Sequence, residues 1–192
     1  MLFLLWLGQI EQPRTRPSRF DIFVKELLRF LPSTCVMSTS TTPIYVPVGY
    51  RSITPSLTVK DASVALKFYE AAFGAVLGLR LTDPQTGGVA HAEFRIGDST
   101  LMISDEYPSY QCWAPEVGKG GLFMIYVPDV DAAFQKALKV GAFEVQGPAD
   151  QFYGDRTARV NDPFGYRWTL AQRVKDVSEA EMTRLMAEWQ AA

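Results

Sequence analysis

Few side chains in this sequence could do chemistry, and that scarcity is informative. Its 192 residues contain one histidine, His91, and two cysteines, Cys35 and Cys112. Imidazole and thiolate are the usual ligands of transition metals, so a site built from them is hard to assemble here. His91 stands two residues before Glu93, and a strand would put both on one face. There they could supply two metal ligands; if the chain has a general base, it is His91. No Ser/His/Asp arrangement surrounds that histidine. No Gly-x-Gly-x-x-Gly loop or P-loop occurs, so nucleotide binding has no support. Asp105-Glu106 reads most simply as a solvated strand end. Arg156 closes the segment Gln151-Phe-Tyr-Gly-Asp-Arg156, and Arg167 follows soon after. A guanidinium fork can donate two bonds at once to a carboxylate or phosphate. The alternative for Arg156 is a surface pair with Asp150 or Asp155, contributing about 0–1 kcal/mol.

The elements that must position these groups emerge from an internal repeat. Val59-Lys-Asp61 and Val127-Pro-Asp129 each precede a helical pattern and lie 68 residues apart. The same shift relates Ala65 to Ala133, Ala90 to Ala158, Gly97 to Gly165 and Met102 to Leu170. Each copy opens on a β-rich segment, at 53–59 and 121–127. Asp61 and Asp129 can each cap a helix by accepting from a free backbone N–H. The helices end at Gly74 and Gly141. Strands follow near 76–82, 89–96 and 99–104 in the first copy, and near 142–146, 155–161 and 166–171 in the second. Ser178-Glu-Ala-Glu181 is a capping-box start for a last amphipathic helix carrying Met182, Leu185, Met186 and Trp189. The expected fold is therefore α+β: tandem βαβββ modules forming a curved mixed sheet around a concave cup, with helices on the outer face. Module one spans 49–106, module two 120–172, and the last helix 178–190.

Composition excludes several classes of function. The sequence is 47% hydrophobic, ample for one buried core, and its formal net charge is −2. No Lys/Arg-dense run is present to displace phosphate counterions, which argues against nucleic acid. No stretch of about 18 to 20 apolar residues spans a membrane. Two cysteines are too few for a disulfide framework, so both read as reduced thiols and the expected compartment is cytoplasmic. Residues 1–47 read as an extension and linker: disordered or loosely helical over 1–36, or preceding a true start at Met37, then Ser/Thr/Pro-rich from Ser38 to Pro47. A mitochondrial presequence is the other reading of 1–36, weakened by Glu11, Asp21 and Glu26.

The segments Ile53-Thr-Pro-Ser-Leu-Thr-Val-Lys-Asp61, Phe68-Tyr-Glu-Ala-Ala-Phe-Gly74, Val89-Ala-His-Ala-Glu93, Asp150-Gln-Phe-Tyr-Gly-Asp-Arg156 and Asn161-Asp-Pro-Phe-Gly-Tyr-Arg-Trp168, in that order, resemble the glyoxalase/bleomycin-resistance/extradiol-dioxygenase superfamily, also called vicinal oxygen chelate proteins. The resemblance covers roughly 49–182 and is nearest a glyoxalase-like subgroup of unassigned reaction. It implies paired βαβββ modules, frequent dimerisation, and one cup used for several chemistries. Its enzymes hold a divalent metal in the cup, whereas its drug-resistance members lose the metal and only bind.

The resemblance to glyoxalase I puts its ligand positions at Thr54 and Thr169, and the repeat gives their partners, Leu122 and Leu101. Two leucines and two neutral hydroxyls cannot replace imidazoles and carboxylates, so no metal and no cofactor is expected. Tyr166 and Arg173 likewise stand where subgroup relatives have histidine. With those positions inward, alternation lists the cup wall as Thr54, Ser56, Leu122, Met124, Tyr126, Leu101, Ile103, Thr169 and Arg167, with Phe152 and Arg156 over the mouth. A two-residue Gly97-Asp98 turn faces Ile96 to Ser99 and Phe94 to Leu101, which leaves His91 and Glu93 on the opposite face. The expected function is metal-free binding of a small, partly apolar molecule, with room for an anionic group, by a homodimer. The alternatives are a metal-dependent lyase or isomerase resembling glyoxalase I, and a dimeric interaction protein with a vestigial cup.

Overall fold

Residues 45–191 are described by a computed structural model. The readings of residues 1–36, of Cys35 and of the first part of the linker lie outside them. The described residues form a compact unit built from the two expected modules. Module one comprises strand β1 (Ser56–Val59), helix α1 (Ala62–Phe73) and strands β2 (Val76–Thr82), β3 (Val89–Ile96) and β4 (Ser99–Asp105). Module two repeats the order with β5 (Leu122–Tyr126), α2 (Val130–Lys139), β6 (Phe143–Asp150), β7 (Asp155–Asn161) and β8 (Arg167–Arg173). A last helix, α3, runs from Glu179 to Ala191.

Local chemistry accounts for these boundaries. The side chain of Asp61 accepts from the Val64 N–H at 2.9 Å, and that of Asp129 accepts from the Ala132 N–H at the same distance. Gly74 takes the left-handed conformation (φ 69°) and its N–H returns to the Glu70 carbonyl, which ends α1. Ser178 caps α3 by accepting from the Glu181 N–H. Asp105 and Glu106 are not a solvated strand end. Asp105 accepts from the backbone N–H groups of Ala62 and Val89 at 2.6 and 2.7 Å, binding helix start to strand start, and Glu106 accepts from the Ala114 N–H.

The strands form two open four-stranded mixed sheets, ordered β1-β4-β3-β2 and β5-β8-β7-β6. The first strand of each module pairs parallel to the last, and the remaining pairs are antiparallel. Each sheet packs one face on its helix, where the core lies: Leu57, Val59, Phe94, Leu101 and Ile103 in module one, Ala158, Val160, Trp168 and Leu170 in module two. Among the described residues, no helix packs on the other face of either sheet, which is its open face.

A polar joint connects the modules. Asp162, fully buried, receives the Tyr69 hydroxyl of α1 and the Trp168 indole N–H on Oδ2, each at 2.8 Å. Its Oδ1 accepts from the backbone N–H groups of Phe164 and Tyr166. A carboxylate can be buried when its lone pairs are used this fully. Burial nevertheless pushes the Asp162 carboxyl above the usual carboxylate range, and pushes the Tyr69 phenol up as well. Tyr166 makes the second connection. Its hydroxyl accepts from the Thr58 N–H at 2.8 Å and donates to the Thr58 carbonyl at 3.0 Å, so one phenol occupies both backbone groups on the edge of β1. Gly165 lets the chain reach this place. It sits at φ 112°, and a Cβ there would come within 2.5 Å of the Pro115 carbonyl oxygen.

Candidate functional site

Register decides which side chains share an open face. The turn at Gly97-Asp98 has the expected register: Ile96 pairs with Ser99 and Phe94 with Leu101. The face is the other one, however. Phe94 stacks on Tyr69 of α1 with ring centroids 5.4 Å apart, so Phe94, Leu101 and Ile103 belong to the helix side and not to the cup wall. Ser56 pairs with Met102, while its counterpart Met124 pairs with Thr169. The repeat offset is thus 68 at the first strand but 67 at the last, and a one-residue slip exchanges the faces. The module-one partner of Thr169 is therefore Met102. Thr54 lies in the segment before β1, with its hydroxyl donating to the Arg51 carbonyl.

The same slip moves His91 and Glu93 onto the open face of module one, beside Met102. His91 Nε2 lies 3.5 Å from Glu93 Oε1, and both side chains are half-buried. A hydrogen bond with Glu93 raises the Tyr50 phenol above its ordinary range. A histidine beside a carboxylate can move a proton, so the arrangement has the parts of an acid–base pair. Among the described residues, no three His, Cys, Asp or Glu side chains come together in a group that could hold a metal ion. Met102, Thr54, Leu122 and Thr169 offer a thioether, hydroxyls and an alkyl chain, a donor set that does not fit zinc or nickel.

The open face of module two collects other predicted residues. Leu122, Met124 and Tyr126 on the edge strand β5 are 56%, 51% and 59% exposed. Beside them on β8 stand Arg167, opposite Leu122, and Thr169, opposite Met124. The Tyr126 hydroxyl donates to the buried Asp155 carboxylate at 3.0 Å, which raises the Tyr126 phenol, and Arg173 Nε lies 3.1 Å from the other oxygen of Asp155. A cavity of about 570 Å³ lies along β5, lined by Met124 and Tyr126, by Phe123, Ile125 and Trp168 of the helix side, and by Ile53 and Pro55. That volume lies in the ordinary range for small-molecule sites.

Two predicted residues are placed elsewhere. Arg156 projects from the helix side of β7, away from Arg167. Its Nε and Nη2 hold both oxygens of Asp131 on α2 at 2.6 and 2.8 Å, and Nη1 holds Asp150 at 2.8 Å. The guanidinium in turn draws the Asp131 carboxyl below the usual range. The pairing with Asp150 was one of the two readings of Arg156, and the bidentate bond to Asp131 was not foreseen. Phe152 lies in the turn before β7, its ring edge-on to Tyr153 at 5.3 Å. Arg159 was missed altogether. It pairs with Thr169 and so shares the open face with Arg167; alternation from Arg167 through the β7–β8 pairing was the signal that could have found it.

Comparison with known proteins agrees with this architecture. The family model of the Glyoxalase/Bleomycin resistance protein/Dioxygenase superfamily matches residues 51–170. An uncharacterized protein of Mycobacterium tuberculosis is 38% identical over 142 residues, covering 71% of this chain and 82% of that one. An uncharacterized protein of Arabidopsis thaliana is 26% identical over 150 residues, covering 73% of this chain and 90% of its own. Among solved structures, TioX from Micromonospora sp. ML1 superposes with a TM-score of 0.52 at 25% identity, over 64% of this chain and 98% of that chain. A glyoxalase/bleomycin resistance protein/dioxygenase from Nocardioides gives a TM-score of 0.52 at 20% identity, over 70% and 91%.

Proposed function

This chain belongs to the glyoxalase/bleomycin resistance protein/dioxygenase superfamily, and from that premise we propose that it binds a small, partly apolar molecule without a metal, in a cup lined by the open face of module two. The observation that carries this reading is the row Leu122, Met124 and Tyr126, half-exposed on an edge strand beside a cavity of about 570 Å³. Apolar side chains left in water at a concave site are the usual mark of a ligand or partner surface. Leu122, Met124 and Thr169 would serve as lining and not as ligands to an ion.

The second part of the proposal is a homodimer. Val76, Leu79 and Leu81 on β2 and Phe143 and Val145 on β6 add further exposed apolar area at the far edges of the sheets. A second copy seated over the open faces would remove that area from water and enclose the cup.

The experiment is a fluorescence titration of the full chain with the neutral dye N-phenyl-1-naphthylamine, with and without EDTA. Saturable binding that EDTA leaves unchanged, and that Met124→Glu removes, is the expected result. Binding that needs added Zn²⁺ or Ni²⁺, or no binding at all, would refute the proposal.

A second reading is favoured by the position of His91 on an open face, 3.5 Å from Glu93. Under it, bound molecules exchange or lose a proton to His91. Mass spectrometry of bound compounds in deuterated buffer would detect the exchange in the wild-type chain and its loss in His91→Gln.

A further inference from the structure

Among the described residues, the open face of module two carries two guanidinium groups with no acid to hold them. Arg159 on β7 pairs with Thr169 on β8, and Arg167 lies two residues before Thr169 on the same strand. The two arginines are therefore diagonal neighbours on one face, roughly 7–8 Å apart at the backbone. Both are exposed. Neither makes an ion pair among the described residues, although Arg156 and Arg173 of the same module are both paired with aspartates. Placing two like charges side by side is unfavourable unless an anion joins them.

The third group is Thr169, between them. It is only 2% exposed, and its hydroxyl makes no side-chain hydrogen bond among the described residues. A threonine hydroxyl is a donor that an anion's oxygen can take. It lies on the open face, flanked by Arg159 on one side and Met124 on the other. Met124 also borders the cavity beside β5. Strands are spaced by about 4.8 Å, so Arg159, two strands away, is about 10 Å from Met124 across the sheet.

We infer that Arg159, Arg167 and Thr169 form an oxyanion clamp, and that the ligand is an amphipathic anion. Its carboxylate, phosphate or sulfonate head takes the two guanidinium groups and the hydroxyl. Its apolar body extends about 10 Å across Met124 into the cavity beside β5. Planar forks on neighbouring strands can each donate two bonds to one head group, which fixes its orientation. This inference rests on the binding cup proposed above and names the class of molecule it takes.

The test uses a matched pair of probes on the full chain: 1-anilinonaphthalene-8-sulfonate, which carries an anionic head, and neutral N-phenyl-1-naphthylamine. The sulfonate is expected to bind at least tenfold more tightly, as charge-assisted bonds predict. Arg159→Ala and Arg167→Ala should each remove about tenfold of that preference while leaving the neutral dye unchanged, and Arg156→Ala should alter neither probe. Decanoate or decyl phosphate should displace the sulfonate from wild type but decanol should not. Equal binding of both probes, with no effect of either arginine variant, overturns the clamp and leaves the cup. Failure of both probes overturns the cup and the clamp together. A change of mass on gel filtration in Arg159→Ala or Arg167→Ala, with dye binding intact, also overturns the clamp, because it assigns the arginines to a protein interface.

Discussion

The Tyr69 hydroxyl donates to Asp162 Oδ2 at 2.8 Å, and this bond joins the helix of the first module to the β7–β8 loop of the second. Removing it by Tyr69→Phe leaves the ring packing intact and strips one donor from a buried carboxylate. The expected loss is about 1.5–3 kcal/mol of unfolding free energy, the range for hydrogen bonds to charged groups. Urea unfolding monitored at Trp168 measures it. A loss below about 0.5 kcal/mol would mean that the joint takes no part in stability.

Asp162 also gives the protein a pH dependence of definite sign. Burial raises its carboxyl above the value of the unfolded chain. The native state therefore holds that proton more tightly, and the associated stability is present below the ordinary carboxylate range and lost as pH rises through the raised value. Asp131 has the opposite sign, because Arg156 lowers its carboxyl. Its contribution is present above the ordinary carboxylate range and lost as pH falls through the lowered value. Unfolding of Arg156→Met and wild type should accordingly differ near pH 6 and converge toward pH 2. A constant difference across that range would contradict the assignment.

Neighbouring positions on β4 should respond in opposite ways. Leu101→Ala empties a site against α1 and is expected to cost about 2–5 kcal/mol. Met102→Ala, on the open face, should cost about 1 kcal/mol or less. Thermal unfolding of the two variants separates the packed face from the open one, and reversed values would mean that the register had been misread.

Protein purified without a metal-affinity tag and incubated with excess Zn²⁺ and Ni²⁺ should retain no stoichiometric metal through gel filtration. Elemental analysis gives the answer. Near-stoichiometric retention would point to His91 and Glu93, the open-face pair that comes nearest to a ligand set, and the variant His91→Gln would then lose the ion.

Asp61 and Leu101 mark how far the residues alone could lead. Caps, turn and element order were legible because each depends on a few neighbours: Asp61 before a periodic run, Gly74 after it, Gly97-Asp98 between two strands. The face of Leu101 was not, because it was carried across from module two by a constant offset. The β7–β8 loop and the β3–β4 turn differ in length, and a strand read one residue out of step presents its other side. The misplacement of His91 and Glu93 followed from that single step. Arg156 went astray for a different reason: its partner Asp131 lies 25 residues away on α2, and spacing along the chain says nothing of such a contact. Thr169, Arg167 and Met124 were read correctly as sharing a face because they lie on paired strands of one module.

The joint at Tyr69 and Asp162 also ends the interchangeability of the two halves. At the helix position where α1 has Tyr69, α2 has Ala137, and where module two has the loop carrying Asp162, module one has only Gly97-Asp98. A chain assembled from two first modules would present two phenols and no buried acid to receive them. One assembled from two second modules would bury two carboxylates, each short of its tyrosine donor. What began as two equivalent copies now works only as an ordered pair.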